Sequence, residues 1–148
     1  MDAALLSNVP LFEELEGKDL DAIAKVAFSR SYSKGSIIIL AEEEGDTLFI
    51  ISQGQVKVSI VSEDGREAIL ALLGEGAVFG ELSLLDGKPR SANVVATEAT
   101  NLYMVRRSDF LQLVYKVPQI AVGLLAELAS RLRKTDRKIE GLALLDVT

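Results

Sequence analysis

The chain has 148 residues, 49% of them hydrophobic, a formal net charge of −6, and neither histidine nor cysteine. That length and apolar content suit one folded domain with its own core, and the missing cysteines exclude disulfides, cysteine-ligated iron–sulfur clusters and thiol switches. The missing histidines remove the usual ligands of zinc, haem and non-haem iron and the base of Ser-His nucleophile pairs, while the acidic balance argues against the chain alone gripping duplex DNA.

At the N-terminus, Asp2 precedes the short apolar stretch Ala3 to Leu6 with no basic flank, which does not read as a secretory signal. No apolar run approaches the roughly 18 to 20 residues that span a bilayer, so a cytoplasmic protein with no membrane partner is expected. After a turn at Glu16-Gly17, Leu20, Ile23, Ala24 and Ala27 recur at helical spacing and predict an amphipathic helix over about residues 18 to 28.

Beyond Arg30 the period changes to two, or to short apolar runs, at Ile37 to Leu40, Thr47 to Ser52, Val56 to Val61, Ala68 to Leu73, Ser91 to Thr97 and Asn101 to Val105. Turn chemistry separates these runs at Lys34-Gly35, Glu44-Gly45-Asp46, Gln53-Gly54, Asp64-Gly65 and Gly74-Glu75-Gly76. Short strands so spaced predict a mainly β, jelly-roll-like sandwich or barrel, with Val56, Val58 and Ile60 on the inward face of their strand. The acidic run Glu42-Glu43-Glu44 lacks the alternating spacing of a calcium loop and reads as a solvated turn, so no metal site and no catalytic residue are assigned.

Residues 79 to 92 read FGELSLLDGKPRSA. Gly80 lets backbone amides approach a ligand closely, Glu81 offers a carboxylate acceptor to a pair of hydroxyls, and Arg90 supplies a planar guanidinium able to hold a phosphate through two parallel hydrogen bonds. Ser91 adds a hydroxyl and an amide, and Ala92 keeps the return strand small. Residues 81 to 86 can form one helical turn whose free amides point at an anion, while Leu82, Leu85 and Pro89 pack the insert on the roll.

Helical signals return at Ser108, a plausible N-cap, with Phe110, Leu111 and Val114 forming an apolar side. Pro118 suits the first turn of a longer helix that runs to about Leu145, roughly 40 Å. Leu125, Leu128, Leu132, Thr135, Ile139 and Leu142 fall at alternating steps of three and four, the seam of a two-helix coiled coil, and predict a homodimer; packing of that seam on the roll of its own chain is the alternative. Residues 131 to 138 carry a local charge of +4, which leaves −10 on the remainder.

The stretch from Phe79 to Ala92 resembles the phosphate-binding cassette of cyclic-nucleotide-binding domains. With the N-terminal helix, the glycine-punctuated strands, the Ser108 helix and the long last helix, the chain as a whole is similar to the regulatory half of a Crp/Fnr-type transcription regulator. That resemblance implies a cyclic-nucleotide-binding β-roll with helical flanks over residues 1 to 117, and a dimerisation helix with the start of a hinge over residues 118 to 148. Gly80, Glu81, Leu82, Arg90, Ser91 and Ala92 would then hold the cyclic phosphate and the ribose 2′-hydroxyl, with Val58 and Leu73 lining the pocket. Thr135 falls where the family offers a hydroxyl to the adenine amino group. Asp136 stands where a serine reaches the nucleotide of the other subunit, and Arg131 aligns with an arginine that supports the Glu81 region.

The implied ligand is cyclic AMP or a related nucleotide, bound as an effector and not as a cofactor. DNA and RNA polymerase would be met only through a longer protein carrying a helix-turn-helix. A β-roll that dimerises without binding a nucleotide, or that senses another anion, is the alternative. A cupin-type enzyme lacks its histidine ligands here, so no enzymatic activity is expected.

Overall fold

The computed structural model describes Leu6, Val9, Phe12 and residues 15–39, 46–80 and 92–146, with the backbone alone for residue 131 and residues 134–146. Helix α1 (Gly17–Val26) buries Leu20 and Ile23, and Asp19 in its first turn and Lys25 in its last complement the helix dipole. It ends two residues before the expected boundary. Ala27 turns extended, at φ −81° and ψ 147°, while its N–H still donates to the Ile23 carbonyl at 3.1 Å. The next residues, Phe-Ser-Arg-Ser-Tyr, form strand β1 (Phe28–Tyr32), where the sequence predicts a helix end near residue 28 and a first strand only at Ile37.

The remaining strands are β2 (Ile37–Ile39), β3 (Thr47–Gln53), β4 (Val56–Val61), β5 (Glu67–Leu73), β6 (Val78–Phe79), β7 (Asn93–Ala96) and β8 (Thr100–Arg106). They form two four-stranded sheets, in the orders β1-β8-β3-β6 (sheet A) and β2-β7-β4-β5 (sheet B), with every pairing antiparallel. The expected jelly-roll-like architecture is therefore present, with β1 and the two-residue β6 as additions.

Two apolar clusters explain why β3 reads as an unbroken apolar run. Its Phe49 and Ile51 point between the sheets, where they meet Ile39, Val56, Phe79, Val94, Leu102 and Met104. Its Leu48 and Ile50 point the other way, onto a layer built from Leu20 and Ile23 of α1, the N-terminal residues Leu6, Val9 and Phe12, and the C-terminal helices. A strand buried on both faces needs no polar residue until its end. Sheet A is thus covered twice.

Two local expectations fail for identifiable reasons. Val56 and Val58 do pack on the inner cluster, but Ile60 is 43% exposed; it lies beyond a register shift at Val58/Ser59 that skips Leu70 of β5, and among the described residues it pairs with Ala68 alone. Ser108 is not the N-cap of helix α2 (Arg107–Lys116). Strand β8 runs straight into that helix, Arg106 occupies the cap without a side-chain hydrogen bond, and the Arg107 amide already donates to the Asp46 carbonyl at 2.7 Å.

Helix α3 (Gln119–Asp146) follows a bend of 113° at Val117-Pro118. Pro118 lies just outside the helix, its carbonyl accepting from the amides of Ala121 and Val122 at 3.0 and 3.3 Å. The first turns of α3 insert Ile120 and Leu124 beside Phe110 and Leu113 of α2, and full burial of such side chains stabilises by about 1.5–3 kcal/mol each. At 1.5 Å per residue, 28 residues extend about 42 Å. Among the described residues no single helix is long and apolar enough to cross a membrane.

Candidate functional site

Strand β6 sets the geometry of the site. Its two residues face opposite ways: Val78 joins the helix-side cluster, and Phe79 joins the cluster between the sheets. The Phe79 ring stacks on Phe49 of β3, its register partner, with centroids 4.8 Å apart and planes 4° from parallel. Such stacking contributes about 0.5–1.5 kcal/mol beyond the area buried. The next residue, Gly80, has φ +84°, a left-handed conformation that a side chain makes costly by about 1–2 kcal/mol. The glycine expected from the sequence to open the ligand grip therefore turns the chain sharply, next to a ring locked in the core.

Residues 81 to 91 lie outside the described residues, and with them Glu81, Leu82, Arg90 and Ser91. Their anchors are described. The chain leaves from β6 of sheet A and returns at the partly buried Ala92 to begin β7 of sheet B, so the segment joins one sheet to the other. On the return, Val94 points inward opposite Val58. Leu73 pairs with Val56 on the adjacent edge, and Val58 and Leu73 both rest, partly buried, against the inner cluster that holds Phe79. Gly80, Val58 and Leu73 are thereby gathered around one apolar floor.

The residues predicted on the last helix fall along α3. Leu125 and Leu132 are exposed, at 66% and 63%, whereas Leu128 is partly buried against the helix-side cluster of its own chain. Val122 is also exposed, at 64%, and with Leu125, Ala129 and Leu132 it continues the alternation of three and four along the open side. Arg131, Thr135, Asp136, Ile139 and Leu142 share this helix but are described by backbone alone.

The stack of Phe79 on Phe49 is not an expectation the sequence offers. Each phenylalanine sits in a short apolar run, and a two-residue strand is too short to show a period. Electrostatics on the roll centre on sheet B, where Lys57 Nζ donates to Glu67 Oε1 at 2.9 Å and the buried Ser59 hydroxyl donates to Glu67 Oε2 at 3.3 Å. The Lys57 hydrogen bond, then its charge and the Ser59 hydroxyl, hold the Glu67 carboxyl below its ordinary range. In the β4–β5 turn the Ser62 hydroxyl, foremost, and the Arg66 amide do the same for Asp64. A groove of about 290 Å³ opens among Leu6, Val9, Ile50, Ser52, Glu75 and Tyr103. No three His, Cys, Asp or Glu side chains among the described residues are grouped as metal ligands.

Comparison with known proteins agrees with this geometry. Residues 29–116 match the model of the cyclic nucleotide-binding domain. A cyclic AMP receptor protein of Thermus thermophilus is 38% identical over 135 residues, covering 91% of this chain and 62% of the relative. The crystal structure of the Thermus thermophilus catabolite activator protein superposes with a TM-score of 0.82 at 38% identity, over 90% of this chain and 63% of that one. The regulatory subunit of a cAMP-independent protein kinase A from Trypanosoma brucei superposes with a TM-score of 0.75 at 27% identity, over 86% of this chain and 45% of that one. The chain belongs to the cyclic nucleotide-binding domain family, and it is similar to CRP-type transcription regulators over most of its own length. It spans a little under two thirds of the length of the Thermus relative.

Proposed function

We propose that the chain binds a cyclic nucleotide, cyclic AMP foremost, and serves as the sensing and dimerising part of a transcription regulator that works in the cytoplasm. The carrying observation is the match along 91% of the chain to a protein named for cyclic AMP reception. The turn at Gly80 beside the buried Phe79, with Val58 and Leu73 on the same floor, supports the reading. In it, Arg90 pairs with the singly charged cyclic phosphate and Glu81 accepts from the ribose 2′-hydroxyl. A charge-assisted hydrogen bond of the Arg90 kind contributes about 1.5–3 kcal/mol. The exposed apolar positions of α3 pair two copies, and Thr135 and Asp136 couple the bound base to that helix pair. No catalytic step is involved.

For binding to be relayed, the ligand must favour one arrangement of the helices over another. A preference of 5- to 150-fold corresponds to about 1–3 kcal/mol. In this reading DNA and RNA polymerase would be met only through a longer protein that carries a DNA-binding domain.

The test is calorimetric titration of the chain with cyclic AMP and cyclic GMP, alongside Arg90→Ala. The expected result is saturable binding, weakened about 10- to 100-fold by the substitution. Unchanged binding in Arg90→Ala would remove the assignment of the phosphate to that residue. A second reading, a dimerising roll that does not respond to cyclic AMP, draws on the similarity to the cAMP-independent kinase subunit and on Asp136, whose carboxylate repels a nearby phosphate. Absence of binding by either nucleotide, with dimerisation intact, would favour it.

A further inference from the structure

Sheet A is covered on both faces, whereas among the described residues the outer face of sheet B carries no layer of its own. Register places Ile37, Val95, Lys57 and Leu72 in one row across all four strands on that face. Val94 and Val56, their neighbours along β7 and β4, point into the inner cluster, which fixes this row as the outer one. The next row holds Asn93, Ser59 and Ile69, and the one after it Val61 and Glu67. Ile37, Leu72, Ile69 and Val61 are 57%, 58%, 56% and 53% exposed. Large β-branched and leucine side chains on the open face of an antiparallel sheet break the usual alternation of apolar inside and polar outside.

Charge indicates what covers this face. The chain carries −6, so two copies repel one another over most of their surface. Among the described residues of these rows, however, the only formal charges are Lys57 and Glu67, which are already paired at 2.9 Å and sum to zero. A face with both signs side by side is self-complementary. A two-fold axis lying in the contact plane between them sets each Lys57 over the partner's Glu67 while the apolar rows meet.

We propose that the outer face of sheet B is a contact between two copies of this chain, stacked as the two sheets of a sandwich stack, about 10 Å apart. Four strands about 4.8 Å apart and rows spanning roughly 13 Å give a footprint on the order of 250 Å² a side, the small, transient end of protein interfaces. The contact is therefore weak in a lone chain and matters where another contact, such as the α3 seam, already joins copies. It is independent of that seam, since none of its residues lies on α3.

The experiment is sedimentation equilibrium up to about 1 mM chain, a concentration at which weak contacts of this size become populated. It uses four proteins: the unaltered chain, Leu132→Lys, Ile69→Lys, and the double variant. Leu132→Lys leaves the face-to-face pair as the remaining association, with its mass rising towards two chains at high concentration. Ile69→Lys in that background weakens it about tenfold or more, because an uncompensated cation enters the contact. Ile69 is exposed, so its substitution leaves the fold in place, as circular dichroism checks.

A second readout is specific to the two-fold arrangement. Lys57→Glu and Glu67→Lys, each in the Leu132→Lys background, self-associate poorly, and mixing them restores a pair of two chains. A Leu132→Lys protein that stays monomeric at the highest concentration overturns the proposal, as does association unaffected by Ile69→Lys. Mixing that restores nothing overturns the two-fold arrangement.

Discussion

Phe79→Ala is the substitution through which core packing and ligand binding are most tightly joined. The side chain is 3% exposed, lies in the cluster between the sheets and stacks on Phe49. Removing a buried phenyl costs about 3–5 kcal/mol, the lost stacking included, which in a chain of this size lowers the thermal midpoint by roughly 10–15 °C. The same ring holds the end of β6 from which Gly80 turns, so in the proposed reading its loss also frees the start of the ligand grip. The adjacent Val78 supplies the control, since it is 2% exposed but faces the helices on the opposite side of the strand. Val78→Ala costs about 2–3 kcal/mol of stability. Both variants are titrated with cyclic AMP well below their midpoints, after urea denaturation has fixed their stabilities. Phe79→Ala weakens binding about tenfold and Val78→Ala by no more than about threefold. Equal losses of affinity in the two variants, or a Phe79→Ala stability cost below about 1 kcal/mol, would refute the reasoning.

Three other expectations come from different parts of the molecule. At Gly54, φ is +106° and an added Cβ meets the Thr100 hydroxyl at 2.5 Å and the Ala99 carbonyl at 2.6 Å, so Gly54→Ala should cost about 3 kcal/mol or more in urea denaturation; a cost below about 1 kcal/mol would contradict the clash. The Glu67 carboxyl, held below its ordinary range chiefly by the Lys57 hydrogen bond, contributes stability that is present above the unfolded-state value and is lost as pH falls through the folded-state value. In Lys57→Met, carboxyl NMR should show the Glu67 midpoint rising towards the ordinary range, and an unmoved midpoint would exclude Lys57 as the cause. Leu132, exposed on α3, belongs to the proposed seam between copies, so Leu132→Lys should shift dilute chain from dimer to monomer by sedimentation; an unaltered chain already monomeric there would contradict the seam.

The elements legible in the sequence were those whose period survives in one dimension. Leu20 and Ile23 announced α1, the apolar run at Thr47 to Ser52 announced β3, and the turn dipeptides at Gly35, Gly54, Gly65 and Gly76 mark positions where φ is positive. What escaped depends on the third dimension. Strand β1 carries exposed residues along most of its length and so shows no apolar stripe, and β6 is two residues long. The exposure of Ile60 goes with a register shift between β4 and β5, and the capping at Arg106 with a carbonyl supplied by Asp46. For the site, Gly80 was legible as a turn, whereas the Phe49–Phe79 stack that anchors it joins residues 30 positions apart, which no local pattern reports. On α3 a heptad reading could not separate Leu128, which packs on its own chain, from Leu125 and Leu132, which remain open.

The most direct measurement of the central claim is a calorimetric titration of the unaltered chain with cyclic AMP beside 5′-AMP, which has the same base and ribose 2′-hydroxyl but an open, dianionic phosphate. The account predicts saturable binding of one cyclic AMP per chain and binding of 5′-AMP weaker by about tenfold or more, since in the proposed pairing of Arg90 with a singly charged cyclic phosphate the second charge of 5′-AMP is desolvated without a partner. No heat of binding with cyclic AMP, or equal affinity for the two nucleotides, would contradict it.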